Sequence, residues 1–462
     1  MISGRVLRIM KSSLGFAATV ITIAASETSA FQIQPHQICA NSMFHSPAFR
    51  ITTLSAVVNI DENAPRDITT MDEWANACGV ERAEGFQLAV SEGTDGPGLD
   101  VFAMASQDIP SNSPVLFVPS QMILSSNRAV EELGGREMRP AEKLVKSLKS
   151  SDQLRQYYLM LKILVEWERG DDSPWFPWLN SLPRYFSNAA SMTPFCYKCL
   201  PSLMASLAMK ERANMNNLLV RRVPFLSDET KSNTDLWEWA YQIVYTRSFE
   251  TNNGSGDLCI APMADMFNHE TETEVELAYD DEGNCYVQTT RDVPARSPLR
   301  MSYGDPTNPS FLFARYGFLD ESSPATFCKI IPQHISKELI DMGYAHNRML
   351  FYKDTGEASQ EVWDVLLYQI LSSSNAARKR ELYNAHMEGD YETKQLLHQQ
   401  FYPETSARLL EHIDTFLYQL DELSAKAAGR DFREHPRLPL ILRHNEFVRN
   451  TFVAVRAQYF GQ

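Results

Sequence analysis

The spacing of apolar residues changes along the chain, and each change predicts a change of architecture. Residues 71–126 contain short apolar runs separated by glycine- and proline-rich turns, which predicts short strands. Residues 142–250 place apolar side chains three and four positions apart, which predicts helices. One helix is predicted over the stripe at residues 154–165, with Gly170 as its stop, and a stronger one over residues 235–249.

The strand-like pattern then returns before the chain becomes helical again. Alternation over residues 273–279, a polar turn at 280–284 and a second run over 285–289 predict a β-hairpin. From residue 330 onward, apolar stripes at spacings of three and four predict a helical C-terminal region, with a last helix near residues 446–459.

The amino terminus has the composition of a targeting segment. Basic residues precede an apolar run over residues 14–25, and small residues follow at 28–30, so residues 1–30 are predicted to be a signal peptide. Residues 31–60 contain no acidic residue and many hydroxyl and amide side chains, which is typical of a transit peptide. The combination predicts import into a plastid bounded by extra membranes, with secretion as the alternative.

Composition excludes several classes of function. The formal net charge of -15 provides no basic field for nucleic acid. The cysteines are scattered, and the Cys196-x-x-Cys199 pair has no flanking ligands, whereas a closed zinc site needs four; we therefore expect reduced structural thiols and no metal. No segment after the presequence is predicted to enter a membrane, and the chain is expected to be a monomer.

Several motifs together resemble a SET domain. An Asp-Met-x-Asn-His motif ends at Asn268-His269, the predicted hairpin follows, and Ser-Tyr-Gly at 302–304 precedes Tyr-Gly-Phe at 316–318. This order resembles the C-terminal half of a SET domain, and Gly96-x-Gly98-Leu followed by strands resembles its first half. The Trp-x-Pro-x-Leu-x-x-Leu-Pro stretch at 175–183 resembles the Rubisco large-subunit lysine methyltransferase branch of that superfamily.

The resemblance implies an α+β fold. A SET domain of short β-sheets would be split into halves at residues 71–126 and 251–320. A helical insert at 127–250 would divide them, and an all-α substrate-binding domain would follow at 330–462.

The resemblance also implies an activity. We expect an S-adenosylmethionine-dependent N-methyltransferase that acts on a lysine of a non-histone, plastid protein. A protein histidine is the alternative methyl acceptor. An inactive SET-fold module that only binds a partner protein is the third hypothesis.

The resemblance also implies the site residues, among them an arginine at the end of the helix predicted over residues 235–249. Cofactor binding is assigned to Gly96, Pro97, Gly98, Arg247, Asn268, His269 and Tyr303. The Tyr303 hydroxyl is also the predicted catalytic group, and Phe249 and Tyr316 are predicted to contact the substrate. An arginine fork suits the cofactor's carboxylate. A narrow apolar channel would lower the pKa of a lysine amine, so no strong general base is required.

Overall fold

The computed structural model describes residues 56–92, 99–218, 220–251, 256–305, 307, 309–327, 335–345 and 348–461. Its strands lie in two main groups along the chain, separated by helices. The first part of the chain contains helix α1 (Ile68–Ala77) and strands β1 (Glu81–Arg82), β2 (Phe86–Glu92), β3 (Leu99–Ala105), β4 (Pro114–Val118) and β5 (Leu124–Ser125).

A helical segment separates the two groups of strands. It contains α2 (Ser126–Leu133), α3 (Arg139–Ser147), α4 (Leu154–Glu168), α5 (Phe176–Ser181), α6 (Pro194–Tyr197), α7 (Ser202–Asn217), α8 (Asp228–Ser232) and α9 (Thr234–Arg247).

The second group of strands ends in one more helix. It contains β6 (Phe249–Glu250), β7 (Leu258–Ile260), β8 (Asn268–His269), β9 (Val275–Tyr279), β10 (Cys285–Thr289), β11 (Arg300–Met301) and helix α10 (Pro309–Tyr316).

The remainder of the chain is mainly helical. It contains β12 (Ala325–Phe327), α11 (Lys337–Asp341), β13 (Leu350–Tyr352), α12 (Gln360–Ser374), α13 (Ala376–Glu388), α14 (Tyr391–Gln400), α15 (Tyr402–Ala427) and α16 (Leu438–Phe460). None of the helices in the described part of the chain has both the length and the apolar content needed to cross a bilayer.

Strands from before and after the helical segment share sheets. One sheet has the order β1-β4-β10-β9, in which Leu116 of β4 lies opposite Val287 of β10. A second sheet has the order β5-β7-β6. The two groups of strands therefore form one β structure that the helices interrupt in sequence, which confirms the predicted α+β class. The predicted hairpin is also confirmed, because β9 and β10 pair antiparallel across the turn that contains Gly283.

Two hydrophobic cores hold these elements. The first packs the shared sheets against α4 and α9 and includes Trp178 and Ile243. The second lies among the C-terminal helices and includes Phe351, Phe452 and also Phe313 of α10. Helix α10 is thereby anchored in the C-terminal core while its last residue, Tyr316, reaches the site described below.

The first helix was not predicted. The strand-like interpretation from residue 71 is wrong over α1, because Asp67 caps this helix by accepting a hydrogen bond from the Thr70 N–H at 3.0 Å. Met71 and Ala75, one turn apart, then bury its inner face. Ile68 and Trp74 pack against the same core, so residues 68–75 do carry the spacing of a helix, which the strand-like interpretation overlooked.

Two other predicted helix boundaries were wrong. Helix α9 ends at Arg247 because Ser248 is extended, with φ -91° and ψ 142°, and Phe249 pairs with Cys259 of β7. The last helix begins at Leu438 rather than near residue 446. Its early proline occupies the first turn, where no amide hydrogen is needed, so the proline does not interrupt the helix.

The end of the transit-like segment takes part in the fold. Val58 is 2% exposed and belongs to the first core. Its carbonyl accepts a hydrogen bond from Trp167 Nε1 at 2.9 Å, and the Asn59 carbonyl accepts one from Arg184 Nε at 2.6 Å. Residues 1–55, which contain the rest of the predicted presequence, lie outside the described residues.

The Cys196 and Cys199 side chains are free thiols, fully buried in the second core. Burial raises the pKa of Cys199, so this thiol stays protonated at neutral pH. Both cysteines pack as buried side chains in this core, and their predicted structural role stays a prediction. Among the described residues, no group of three or more His, Cys, Asp or Glu side chains is placed to hold a metal ion.

Candidate functional site

A short parallel strand pair brings the two principal motifs together. Asn268 of β8 lies opposite Arg300 of β11, and His269 lies opposite Met301. The chain leaves β11 directly into Ser302-Tyr303-Gly304, so Tyr303 is placed beside the Asn-His motif. Two residue pairs are thus enough to bring together motifs that are more than 30 residues apart in sequence.

An ion-paired brace supports this strand pair. Glu274 accepts hydrogen bonds from the backbone N–H of Arg300 at 3.1 Å, from its Nε at 3.0 Å and from its Nη2 at 2.9 Å. Burial alone would raise the pKa of Glu274, but the hydrogen bonds from Arg300 and Arg291 hold it below its usual range. The carboxylate therefore stays charged and fixes the start of β11 against the segment after β8.

Tyr303 is held at two points. Its backbone N–H donates to His269 Nδ1 at 3.0 Å, and its hydroxyl donates to the Phe267 carbonyl at 2.6 Å. Burial raises the pKa of Tyr303, so the side chain is a neutral phenol at neutral pH. Because its O–H donates to the Phe267 carbonyl, the hydroxyl oxygen keeps lone pairs that can accept a hydrogen bond from a bound group.

Aromatic rings surround Tyr303. The ring centroid of Tyr316 lies 4.7 Å away, that of Phe318 at 6.2 Å and that of Phe249 at 6.3 Å. Burial also raises the pKa of Tyr316, so it too is a neutral phenol. The structure thus brings together Tyr303 and the two residues predicted to contact substrate, and adds Phe318, to which no role was assigned.

A glycine permits the placement of Tyr316 and Phe318. Gly317 has φ +78°, and a Cβ atom there would lie 2.4 Å from the backbone nitrogen of Asn188. Asn188 in turn donates through Nδ2 to the Arg315 carbonyl at 3.0 Å. The end of α10 therefore lies directly against the helical segment between the two strand groups, which only glycine allows.

Arg247 and Asp265 form a buried ion pair near Tyr303. Arg247 Nη1 lies 3.0 Å from Asp265 Oδ2 and 2.7 Å from the Asp265 carbonyl oxygen. Trp178 Nε1 also donates to Asp265 Oδ2, at 3.3 Å. Met263, with φ +71° and ψ -44°, makes the unusual turn that precedes Asp265. Arg247 and Asp265 each stand two residues before a residue that contacts Tyr303, namely Phe249 and Phe267, so the pair lies near Tyr303.

This ion pair leaves one donor and one acceptor unused. Arg247 Nε and Asp265 Oδ1 are buried and have no hydrogen-bond partner among the described residues. Buried polar atoms without partners are costly, so a bound group that pairs with them would gain this free energy. The site therefore offers a cationic donor and an anionic acceptor side by side.

Asn268, another predicted cofactor residue, lies at the edge of the site. Asn268 Nδ2 donates to Asp100 Oδ2 at 3.1 Å, and Asp100 is on β3. Gly96, Pro97 and Gly98 lie outside the described residues, and their predicted role stays a prediction.

His269 contributes differently from the other predicted residues. Its Nδ1 accepts the Tyr303 N–H, and its Nε2 lies 3.5 Å from Asp320 Oδ2. The His269 side chain is only 2% exposed. The Nε2 atom has no hydrogen-bond partner among the described residues, but it faces Asp320, so the ring of His269 is directed at the protein.

A further arginine near the site comes from a segment to which no domain was assigned. Arg66 Nε donates to the Ser181 carbonyl at 2.7 Å. Burial and the neighbouring charge of Arg247 lower the pKa of Arg66 to about 9, while Asp100 and Asp265 act in the opposite direction. Sequence alone gave no signal for it, because a single arginine before a helix is common.

Comparison with known proteins gives partial matches in sequence. No family model matches the chain. "SET domain-containing protein 4" of Artemia parthenogenetica is 27% identical over 184 residues, which cover 37% of this chain and 45% of that relative. The Mus musculus protein of the same name is 22% identical over 298 residues, covering 60% and 66%. The chain spans less than two thirds of the length of these curated relatives.

Comparison with solved structures gives a match over most of the chain. Rubisco LSMT bound to AdoMet has a TM-score of 0.56 at 18% identity, covering 86% of this chain and 92% of that one. The SET domain of LSMT bound to lysine and AdoHcy has a TM-score of 0.57 at 17% identity, with the same coverage. At this identity the likeness concerns the fold: the chain has the SET fold of these structures, followed by a helical C-terminal region.

Proposed function

We propose that this protein is an S-adenosylmethionine-dependent protein N-methyltransferase whose acceptor is a lysine side chain. The observation that carries the proposal is the pair of unused buried atoms, Arg247 Nε and Asp265 Oδ1, near the Tyr303 aromatic cluster. Solved structures with the same fold that hold AdoMet, or lysine together with AdoHcy, support it.

The unused atoms fit the amino-acid part of the proposed cofactor. A carboxylate can accept from the Arg247 Nε–H, and an ammonium group can donate to Asp265 Oδ1, which would satisfy both atoms at once. When bound, S-adenosylmethionine supplies an activated methyl group on a sulfonium centre. Arg247 and Asp265 would then orient it, and Asn268 would contribute at the edge where it meets Asp100.

The aromatic cluster fits an aliphatic amine. Rings of Phe249, Tyr303, Tyr316 and Phe318 would exclude water from the acceptor, and loss of solvation favours the neutral amine over the ammonium form. Tyr303 and Tyr316 stay protonated, so they would orient the amine rather than remove its proton. The Tyr303 hydroxyl oxygen, fixed by Phe267, is the group that would accept an N–H of the acceptor.

We also propose that the protein acts in a plastid, on a protein substrate. The signal-like and transit-like compositions of residues 1–30 and 31–60 support this location.

Methyl transfer is tested with residues 56–462, which retain the contacts of Val58 and Asn59. Incubation with radiolabelled S-adenosylmethionine and plastid extract is expected to label lysine in a protein band. Tyr303→Phe removes only the hydroxyl and should lower the rate roughly a hundredfold. Tyr286→Phe, at an exposed strand position, is the matched control and should have no effect.

Two other outcomes would favour the alternative functions. Label recovered on histidine after hydrolysis would favour the alternative acceptor. Absence of both transfer and cofactor binding would contradict the enzyme hypotheses and favour a binding module.

The role of Arg247 is tested by calorimetry with S-adenosylhomocysteine and with a labelled substrate protein. Arg247→Ala should weaken cofactor binding roughly tenfold or more, because a hydrogen bond to a charged group is lost, and should change substrate binding less. Arg433→Ala, at an exposed arginine, serves as the control. Equal losses for cofactor and substrate protein in Arg247→Ala would refute the assignment.

The proposed location is tested with a fluorescent protein fused after residue 60. We expect fluorescence inside plastids of an alga whose plastids have extra bounding membranes. Fluorescence in the medium or in secretory vesicles alone would instead support secretion.

A further inference from the structure

We propose that Asp320 is a positioning residue for Tyr303 and that it acts through the imidazole of His269. Its consequence for turnover rests on the proposed function, because only then is Tyr303 in contact with reacting groups. The geometric part of the inference does not depend on that function. That part concerns His269 of β8, Tyr303 after β11 and Asp320 after α10.

The hydrogen bond from Tyr303 requires one tautomer of His269. Nδ1 can accept the Tyr303 N–H, at 3.0 Å, only when it carries no proton. The ring proton of the neutral imidazole must then be on Nε2, which faces Asp320 Oδ2 at 3.5 Å. A carboxylate at this position favours the required tautomer, because it can only accept from Nε2.

Asp320 is itself held in place. Its Oδ2 accepts from Thr271 Oγ1 at 2.9 Å, and its Oδ1 accepts from the Ser322 backbone N–H at 3.0 Å and from Ser322 Oγ at 2.5 Å. Burial alone would raise the pKa of Asp320, but the facing imidazole of His269 and hydrogen bonds from Ser322 and Thr271 hold it well below its usual range. The carboxylate is therefore charged, fixed and only 6% exposed.

Without this carboxylate, the tautomer of His269 is no longer fixed. The form with the proton on Nδ1 would direct an N–H toward the Tyr303 N–H, and two donors repel each other. Tyr303 would then keep only the hydrogen bond from its hydroxyl to Phe267, because its contacts with the surrounding rings are not directional. We therefore expect the Tyr303 backbone, and with it the hydroxyl, to lose its fixed position.

The hydrogen bond itself can be measured without any turnover. In deuterated protein labelled with nitrogen-15 in histidine and tyrosine, a scalar coupling across the N–H···N bond would join Tyr303 N to His269 Nδ1. We expect this coupling in the wild type and in Asp320→Asn, whose amide oxygen can still accept from Nε2. It should be lost in Asp320→Ala.

The second measurement is the steady-state rate of methyl transfer to the substrate protein that the labelling assay identifies. Asp320→Ala should lower kcat by roughly ten- to a hundredfold with little change in KM, because a misplaced reacting group affects the transition state more than binding. Asp320→Asn should restore most of kcat. Val145→Ala, a buried position in α3, controls for a general loss of stability and should leave kcat unchanged.

A second pair of variants does not alter Asp320 and serves if Asp320→Ala fails to fold. His269→Asn keeps an acceptor near the position of Nδ1, whereas His269→Gln keeps one near Nε2. The inference predicts that the Asn variant has the higher kcat.

The outcomes separate this inference from the proposed function. Persistence of the coupling and of kcat in Asp320→Ala would overturn the inference, as would a higher kcat in His269→Gln than in His269→Asn. A wild type that shows the coupling but transfers no methyl group would contradict the proposed function alone, and would support the positioning of Tyr303.

Discussion

The parallel pairing of β8 with β11 is the constraint on which the site depends. It consists of two residue pairs, Asn268 with Arg300 and His269 with Met301. So short a pairing has little stability of its own, and the charged brace between Arg300 and Glu274 supplements it. Both hydrogen bonds described for Tyr303 follow from this pairing, because the Phe267 carbonyl and the His269 ring both belong to the β8 side.

The other parts of the chain supply the walls around this centre. The helical segment contributes Trp178 to the Arg247–Asp265 pair and the Asn188 backbone to the close approach at Gly317. The C-terminal core holds α10 through Phe313 and so determines where Tyr316 lies. The site is therefore assembled from segments that are distant in sequence, and changes in the packing of the C-terminal helices can reach it through α10.

Sequence predicted the parts of the site that depend on local pattern. The hairpin of β9 and β10 followed from alternation and a polar turn, and the motifs around His269 and Tyr303 indicated their proximity through a family resemblance. The end of α9 was missed because pairing of Phe249 with β7 overrides helical spacing. Asp265, although part of the Asp-Met-x-Asn-His motif, and Asp320 were given no role, because the sequence does not reveal what an acid will face when it is buried.

The central claim is that the Arg247–Asp265 pair binds the amino-acid part of the cofactor, and calorimetry on the wild-type protein tests it most directly. S-adenosylhomocysteine carries this part, whereas 5′-methylthioadenosine lacks it and keeps the rest. Two hydrogen bonds to charged groups predict that S-adenosylhomocysteine binds roughly a hundredfold more tightly. Equal affinity for the two compounds, or binding of neither, would contradict the account.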